Sequence, residues 1–445
     1  MITKIELQEL ITNATEEMID INSIKFNKDL YSRVDGIDQS AVVDYSQDII
    51  NIPFILINQN NYIINGVHCF HALLKKEQKQ VKIKKIEIPD DDVKIAGYIV
   101  DIDTGVRHPE KDKKKLCVDY FSADPKENKA LIEELKIPQT TFYRWTKDIR
   151  KERQKEINKA IVTSLLDPDK TQEMIAKDFG INEKSIRRFK ETIVDIFITV
   201  IKMSTSEKQE YLKILKEQDL DFLEDYLNFE PYLYNIWNQK EGNKTEHFGS
   251  FPMNYMRSFL YYHTKPFDVV FDPFAGDGTT VDACAFMYRK HFCSDLIPVG
   301  HRKEDIRQHD INAGLPKDLK KCDIAFLDPP YWTQAEGKYS NLDEDFGNMS
   351  LKDFNNSMQK LIEALMKKKV ERVAIVIMPT SYKNKFDFVD HTIDFHEMFK
   401  GKYGVEMRYI LPYSSQQYNA QMVNKAKEAQ KCLVLNRDLT IWRIK

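Results

Sequence analysis

The chain has 445 residues, of which 42% are hydrophobic and 30% charged, and its formal net charge is -3. It is too long for one ordinary domain, and its composition is that of a globular protein. A charge this near zero excludes a polycation that holds nucleic acid by charge alone, though it allows a local basic face. Six scattered cysteines (Cys69, Cys117, Cys284, Cys293, Cys322, Cys432) form no CxxC pair, so no disulfide framework and no metal site is expected. No apolar run is long enough to cross a bilayer. The first residues, Met1 to Gln8, read as an amphipathic start and not as a signal peptide. A cytoplasmic protein without a membrane partner is expected.

Residues 1–105 mix short strands with helices. Ile52 to Ile57, the turn Asn58-Gln-Asn-Asn61 and Tyr62 to Ile64 read as strand, turn, strand. Asn65-Gly66 is a second turn, a helix follows over Val67–Lys76, and Val81 to Ile88 alternates as a strand should. Residues 106–228 read as helical throughout. Residues 229–445 alternate strands with helices, which predicts an α/β domain with a mostly parallel sheet. The acidic, aromatic stretch Asp219–Trp237 is the expected joint between the last two regions.

Within the first region, Asn65-Gly-Val-His-Cys-Phe-His-Ala72 and Tyr31-Ser-Arg33 resemble the ParB N-terminal domain. That resemblance implies an α+β domain in which a glycine turn and helix serve nucleotide phosphate. Cys69 stands here where that family usually has arginine, and Val67 where sulfiredoxins have their cysteine. His68 and His71 have no acidic partner at ligand spacing, and His391 and His396 lack the i, i+4 spacing of a helical metal pair.

In the helical region, Thr171 to Phe189 resembles a helix-turn-helix, with Ala176 small at the crossing, Gly180 at the turn, and Ile186 and Phe189 as packing residues. Lys184, Ser185, Arg187 and Arg188 would then face DNA. Leu131 to Trp145 is a second such pattern, with Phe142 and Trp145 as core and Lys136 where Gly180 stands in the first. Tyr143, Arg144 and Lys147 are its candidate phosphate contacts.

Two motifs carry the chemistry. Asp272-Pro-Phe-Ala-Gly-Asp-Gly-Thr-Thr280 ends an apolar strand and opens a helix near Gly278-Thr279. Its glycines let the backbone turn sharply and approach a ligand, and the helix start offers unpaired N–H groups. Asp295 closes the next strand, placed to accept two ribose hydroxyls, and Asp310 follows the strand after that. The second motif, Leu327-Asp-Pro-Pro-Tyr-Trp332, ends another apolar strand. Pro329 and Pro330 fix the backbone and remove two donors. The Asp328 carboxylate and the Pro329 carbonyl are left as acceptors on one rim, while Tyr331 and Trp332 offer ring faces.

In this order, the two motifs resemble those of S-adenosylmethionine-dependent DNA amino-methyltransferases. The resemblance implies a Rossmann-like class I methyltransferase domain over 229–445, preceded by the ParB-like and helix-turn-helix regions. It implies S-adenosylmethionine held by Phe251, Pro252, Asp272, Pro273, Phe274, Gly276, Gly278, Thr279, Asp295 and Asp310. Asp328, Pro329, Pro330 and Tyr331 would be catalytic, with Tyr331 and Trp332 stacking an extruded base. Two hydrogen bonds to an exocyclic amine would localise its lone pair for attack on the donor methyl. C5-cytosine chemistry needs a cysteine nucleophile, and no proline here precedes a cysteine.

DNA is therefore the expected substrate, with adenine N6 as the leading target. An N4-cytosine enzyme and a non-catalytic ParB-like regulator are the alternatives. The motifs lie too close for an inserted recognition domain, so sequence readout falls to loops such as 333–354 and 412–418 or to the N-terminal regions. The sequence leaves a homodimer and a partner nuclease open. The last strands are expected as a hairpin of Lys431–Leu435 with Leu439–Ile444.

Overall fold

The alternating and continuous apolar runs become strands, and the longer-period runs become helices, in the computed structural model. It describes residues 2–122, 124–238, 251–332, 337, 339–381, 388–412 and 420–444. Two units divide the chain, Met1–Gln154 and Lys155–Lys445. Their boundary falls inside the helix Lys147–Leu166, so the helical stretch 106–228 is shared between them.

The first unit holds a four-stranded sheet of β1 (Glu16–Asp20), β2 (Ile55–Asn58), β3 (Ile63–Asn65) and β4 (Gln80–Ile86), in the order β1-β4-β2-β3. β2 and β3 pair antiparallel across the asparagine turn. There the Asn58 side-chain oxygen accepts from the backbone N–H groups of Asn60 (3.1 Å) and Tyr62 (2.9 Å), the local bonding that suits asparagine to turns. β2 starts at Ile55 and not at Ile52 as expected, because Pro53 has no N–H to give a ladder. The helix Val67–Lys75 follows Gly66. A second helix, Val93–Asp103, crosses β3 so closely that a Cβ on Gly97 would stand 2.5 Å from the Ile64 carbonyl oxygen; only glycine fits there.

The second unit is built on β5 (Val269–Asp272), β6 (Lys290–Asp295), β7 (Arg307–Gln308), β8 (Ile324–Leu327), β9 (Arg372–Ile377), the small pair β10 (Thr380–Ser381) and β11 (Phe388–Val389), β12 (Gly404–Pro412) and β13 (Asn436–Arg443). The seven-stranded sheet has the order β12-β13-β9-β8-β5-β6-β7. β7, β6, β5, β8 and β9 are parallel, and β13 runs antiparallel to both β9 and β12. This is the Rossmann-like class I methyltransferase arrangement, with one reversed strand next to the edge.

The terminal pair differs from expectation. The partner of β13 is β12, and Lys431–Leu435 is not a strand. That segment leaves the helix Ala420–Glu428 through Gln430 at φ 53° with Lys431, Cys432 and Leu435 exposed, so it has no buried face to set a register.

The central strands are apolar along nearly their whole length, save Asp272 at the end of β5 and Arg372 at the start of β9, because both faces are covered. Val270, Ile324 and Phe326 face one core, with the helices of residues 161–227 and Met253–His263. Val269, Phe271, Ala325 and Leu327 face the other, with the helix Leu351–Lys367 and the helix His391–Phe399. No described helix is long and apolar enough to cross a membrane.

Candidate active site

From β5 the chain winds outward to β6 and β7, then returns to β8 on the other side of β5. Such a reversal opens a crevice at the carboxyl ends of the two adjacent strands, the usual ligand position in an open α/β sheet. The β5–β8 register pairs Phe271 with Ala325. Asp272 therefore closes β5 and Asp328 lies two residues, about 7 Å, further along the neighbouring strand.

Asp272 is only 2% exposed. One carboxylate oxygen accepts from the Phe274 N–H (2.9 Å) and the other from the Thr280 hydroxyl. Burial pushes its pKa up to about 7, against these two hydrogen bonds, and the charges of Asp328 and Asp295 add to the rise. Asp272 thus ties the strand end to the loop and the helix Thr279–Phe286. Gly278, with φ 93°, caps that helix, and a Cβ there would stand 2.3 Å from the Arg302 Cβ. Gly276 donates its N–H to Asp295 (2.8 Å). Thr279 donates its hydroxyl to Asp277 (3.0 Å), Pro273 is buried, and the half-buried Phe274 meets Phe346 edge-on at 5.0 Å.

Asp295 ends β6, with its other oxygen accepting from the Ile297 N–H (2.9 Å). Asp310 caps the short turn Ile311–Ala313 through one oxygen, which Asn312 engages. Phe251 and Pro252 are buried before the helix Met253–His263, and the Phe251 ring meets Phe326 of β8 at 5.2 Å. Carboxylates at successive strand ends, a tight glycine loop and a helix N-terminus form a donor and acceptor set that fits an adenosyl amino acid. S-adenosylmethionine would supply a methyl group on sulfonium sulfur.

Asp328 is partly accessible, yet the protein around it pushes its pKa up to about 6, with the Arg437 charge and the Tyr331 hydroxyl opposing the rise. Tyr331 donates its hydroxyl to one Asp328 oxygen (3.0 Å). Pro329 is buried, and Pro330 and Tyr331 are half-buried. Trp332 differs from expectation. It is 2% exposed, donates its indole N–H to the Met349 carbonyl (2.9 Å) and packs edge-on against His391, so its ring is built into the core and offers no open face.

Sequence reasoning missed three residues. Arg437 on β13 is 5% exposed, lies 3.5 Å from the Tyr331 hydroxyl through a guanidinium nitrogen and faces the Phe251 ring at 5.3 Å. It is 106 positions from Tyr331 in the chain, so no spacing pattern could reveal it. Arg302, which blocks the space beside Gly278, is clamped by Asp282 at 2.6 Å. Thr280 was legible in principle, as the second threonine after the glycine loop. The segment 333–336 of the expected recognition loop, all of 413–418, and 248–250 before Phe251 lie outside the described residues. Among the described residues, no three His, Cys, Asp or Glu side chains gather to hold a metal ion.

The expected DNA contacts lie elsewhere in the second unit. The helices Gln172–Asp178 and Glu183–Val200 join through Gly180 at φ 63°. Ala176 and Ile186 are buried, while Lys184, Ser185, Arg187 and Arg188 are exposed. The longer helix meets the start of the strands. Lys190 stands over Phe267, just before β5, at 5.1 Å, and Phe197 meets Tyr288, just before β6, at 5.1 Å. Lys290, the first residue of β6, donates to the Asp167 carbonyl (2.8 Å) ahead of the helix pair, and Asp169 reaches Arg307 of the edge strand at 3.3 Å.

No curated protein matches this sequence. An rRNA methylase from Streptococcus thermophilus is 13% identical over 44% of this chain and 97% of its own, with a TM-score of 0.27. The plantazolicin methyltransferase BpumL, solved with SAH, is 7% identical over 43% of this chain and 82% of its own, with a TM-score of 0.24. The C-terminally truncated chromosome-partitioning protein ParB from Caulobacter crescentus, complexed with CTP-gamma-S, is 16% identical over 48% of this chain and 98% of its own, with a TM-score of 0.19. The family model described as DNA methylase, of the N6/N4 type, matches residues 106–299. That match takes in the helical pair, the Phe-Pro turn, the glycine loop and Asp295, so over this segment the chain is similar to the N6/N4 DNA methylases.

Proposed function

We propose that this protein transfers a methyl group from S-adenosylmethionine to the N6 amine of adenine in DNA. The observation that carries this reading is the meeting of two motifs, 55 positions apart from Asp272 to Leu327, at the carboxyl ends of adjacent strands β5 and β8. The loop from Asp272 to Thr279, with Phe251, Pro252, Asp295 and Asp310, holds the methyl donor. The Asp328 carboxylate and the Pro329 carbonyl accept the two amine hydrogens. Tyr331 covers one face of the extruded base, its hydroxyl held by Asp328 and by the charge of Arg437 nearby.

The chemistry asks little of the protein beyond placement. An exocyclic amine is a poor nucleophile while its lone pair is delocalised into the ring. Two acceptors on one rim hold the amine so that the lone pair points at the methyl, and alignment supplies much of the rate. The N–C bond would form as the C–S bond breaks to release S-adenosylhomocysteine, and the amine would lose one proton to solvent. The ionised Asp328 carboxylate is the stronger acceptor, so activity falls as pH drops through about 6. Lys184, Ser185, Arg187 and Arg188 bind duplex DNA from their exposed helix face, and residues 1–105 act as a ParB-like domain in a cytoplasmic protein.

Nucleoside mass spectrometry of DNA from cells expressing the chain tests the assignment. N6-methyladenine is expected. N4-methylcytosine would move the assignment to the other base with the same residues, and unmodified DNA would favour the non-catalytic regulator.

A further inference from the structure

Methyl transfer needs two reactants in line, one held by the loop 272–279 and the other by Asp328 and Pro329. The β5–β8 register is set at Val270–Ile324 and Phe271–Ala325, before either motif begins. Beyond it, the segment 340–349 touches both motifs. At one end, the Met349 carbonyl accepts the indole N–H of Trp332 (2.9 Å), three residues after Pro329. Further along, the buried Phe346 meets the Phe274 ring of the glycine loop edge-on at 5.0 Å. The Glu344 carbonyl accepts from the Asn312 side chain (3.0 Å), which also donates to Asp310 (3.1 Å).

The segment is also closed on itself. The buried Asp345 accepts from the Ser340 hydroxyl with one carboxylate oxygen and from the Gly347 N–H with the other, both at 2.9 Å. The Asn348 side chain donates to the carbonyls of Ser340 (3.0 Å) and Leu342 (2.8 Å). A loop packed by its own side chains in this way is a compact unit. A run of rings then joins its two contacts through the core. Phe346 packs on Phe354 at 5.8 Å, Phe354 on His391 at 5.5 Å, and His391 on Trp332 at 5.9 Å. Over these residues, the stretch expected from sequence to read DNA is tied to the donor loop and to the catalytic motif.

We infer that Phe346 and Trp332 are positioning residues of the methyl transfer, two ends of one strap that keeps the donor loop in register with Asp328 and Pro329. This rests on the methyltransferase reading of the crevice. A misplacement of about 1 Å between reactants can cost about 100-fold in rate. A strap anchored in a close-packed core resists such a shift, because packed side chains have few other placements.

The test uses two conservative variants of the full chain, with rates read below every variant's melting temperature. Phe346→Leu keeps an apolar side chain and removes the ring that meets Phe274. Trp332→Phe keeps a ring and removes the N–H that Met349 accepts. Each should lower kcat by about 10- to 100-fold, while S-adenosylmethionine binding, read by calorimetry, stays within a few-fold. The double variant should be no slower than the worse single, because both substitutions release the same strap. An unchanged kcat in either single variant, or losses that multiply in the double, would overturn the strap. A loss of cofactor affinity as large as the loss of rate would also overturn it, by making Phe346 part of the donor site. Rates are compared on whichever DNA base is methylated, so N4-methylcytosine as product would move the base and leave these outcomes standing. A wild-type chain that binds S-adenosylmethionine and methylates no DNA would overturn the reading of the crevice, and the strap with it.

Discussion

The carboxyl and amino ends of one sheet handle charge in opposite ways. At the carboxyl ends, Asp272 and Asp328 are held among protein atoms with their pKa values pushed up to about 7 and about 6, a costly placement of the kind that marks functional sites. At the amino ends the buried charges are mainly cations: Arg289, 2% exposed and donating to the Met287 and Thr264 carbonyls, and the stems of Lys190 and Lys290, with the Asp268 pKa beside them raised by burial. Burial and mutual repulsion hold the ammonium groups of Lys190 and Lys290 below their usual range, and each amine keeps a nearby acid or carbonyl. One end accepts a loss of stability to place acceptors. The other uses the same strands as a platform for helices.

The sharpest way to break this contrast is Asp328→Ala. It removes the acceptor without touching the glycine loop. Methyl transfer should fall by about a thousandfold or more, while S-adenosylmethionine binding, read by calorimetry, stays within a few-fold. Full activity would remove Asp328 from the mechanism.

Arg437→Met tests what keeps Asp328 ionised. The guanidinium lowers the Asp328 pKa, so its loss should raise it. The acid limb of kcat/KM, expected near pH 6, should move up by about one unit, which costs about twofold in rate at pH 7 and close to tenfold well below pH 6. A purely structural role for Arg437 would lower activity at every pH without moving the limb.

Gly278→Ala acts on the loop itself. The residue sits at φ 93°, and a Cβ would meet Arg302 at 2.3 Å. Strain of about 1–3 kcal/mol is expected, read as a lower melting temperature together with weaker cofactor binding. Arg302→Gly in the same chain, which removes the clashing Cβ, should recover the part due to the clash and leave the part due to φ.

Much of this end was legible before any fold was in view. Strand-ending acids, glycines that turn the chain and a double proline are local signals, and the structure places Asp272, Asp295 and Asp328 at or next to strand ends. Arg437 was illegible, because it reaches Tyr331 through sheet order and not through spacing. Trp332 was misread as an open face, since an aromatic after Asp-Pro-Pro-Tyr gives no local sign that Met349 and His391 will enclose it. The terminal hairpin failed for a related reason. Lys431–Leu435 has a strand's composition but forms no strand, whereas the longer β12 pairs along β13.

The turn residues make the same point in the helical regions. Gly180 and Lys136 both adopt positive φ, at 63° and 48°. The position was readable from the pattern in both. The second turn closes with lysine at a cost of about 1 kcal/mol that glycine would avoid.

The smallest expected effect lies at the amino ends, in Lys190→Met. Methionine keeps the apolar stem and its contact with Phe267 and removes an ammonium that burial and Lys321 both disfavour. The folded-state pKa is depressed, so the lysine's cost is present at neutral pH and is relieved as pH rises toward 10. The variant should therefore melt slightly higher at pH 7, by about 2–4 °C at most, with the gain shrinking at alkaline pH. Methylation should be unchanged, because the substitution acts about 17 Å from the crevice. A large loss of methylation on Lys190→Met would mean that the two ends are coupled, and the division of labour between them would fail.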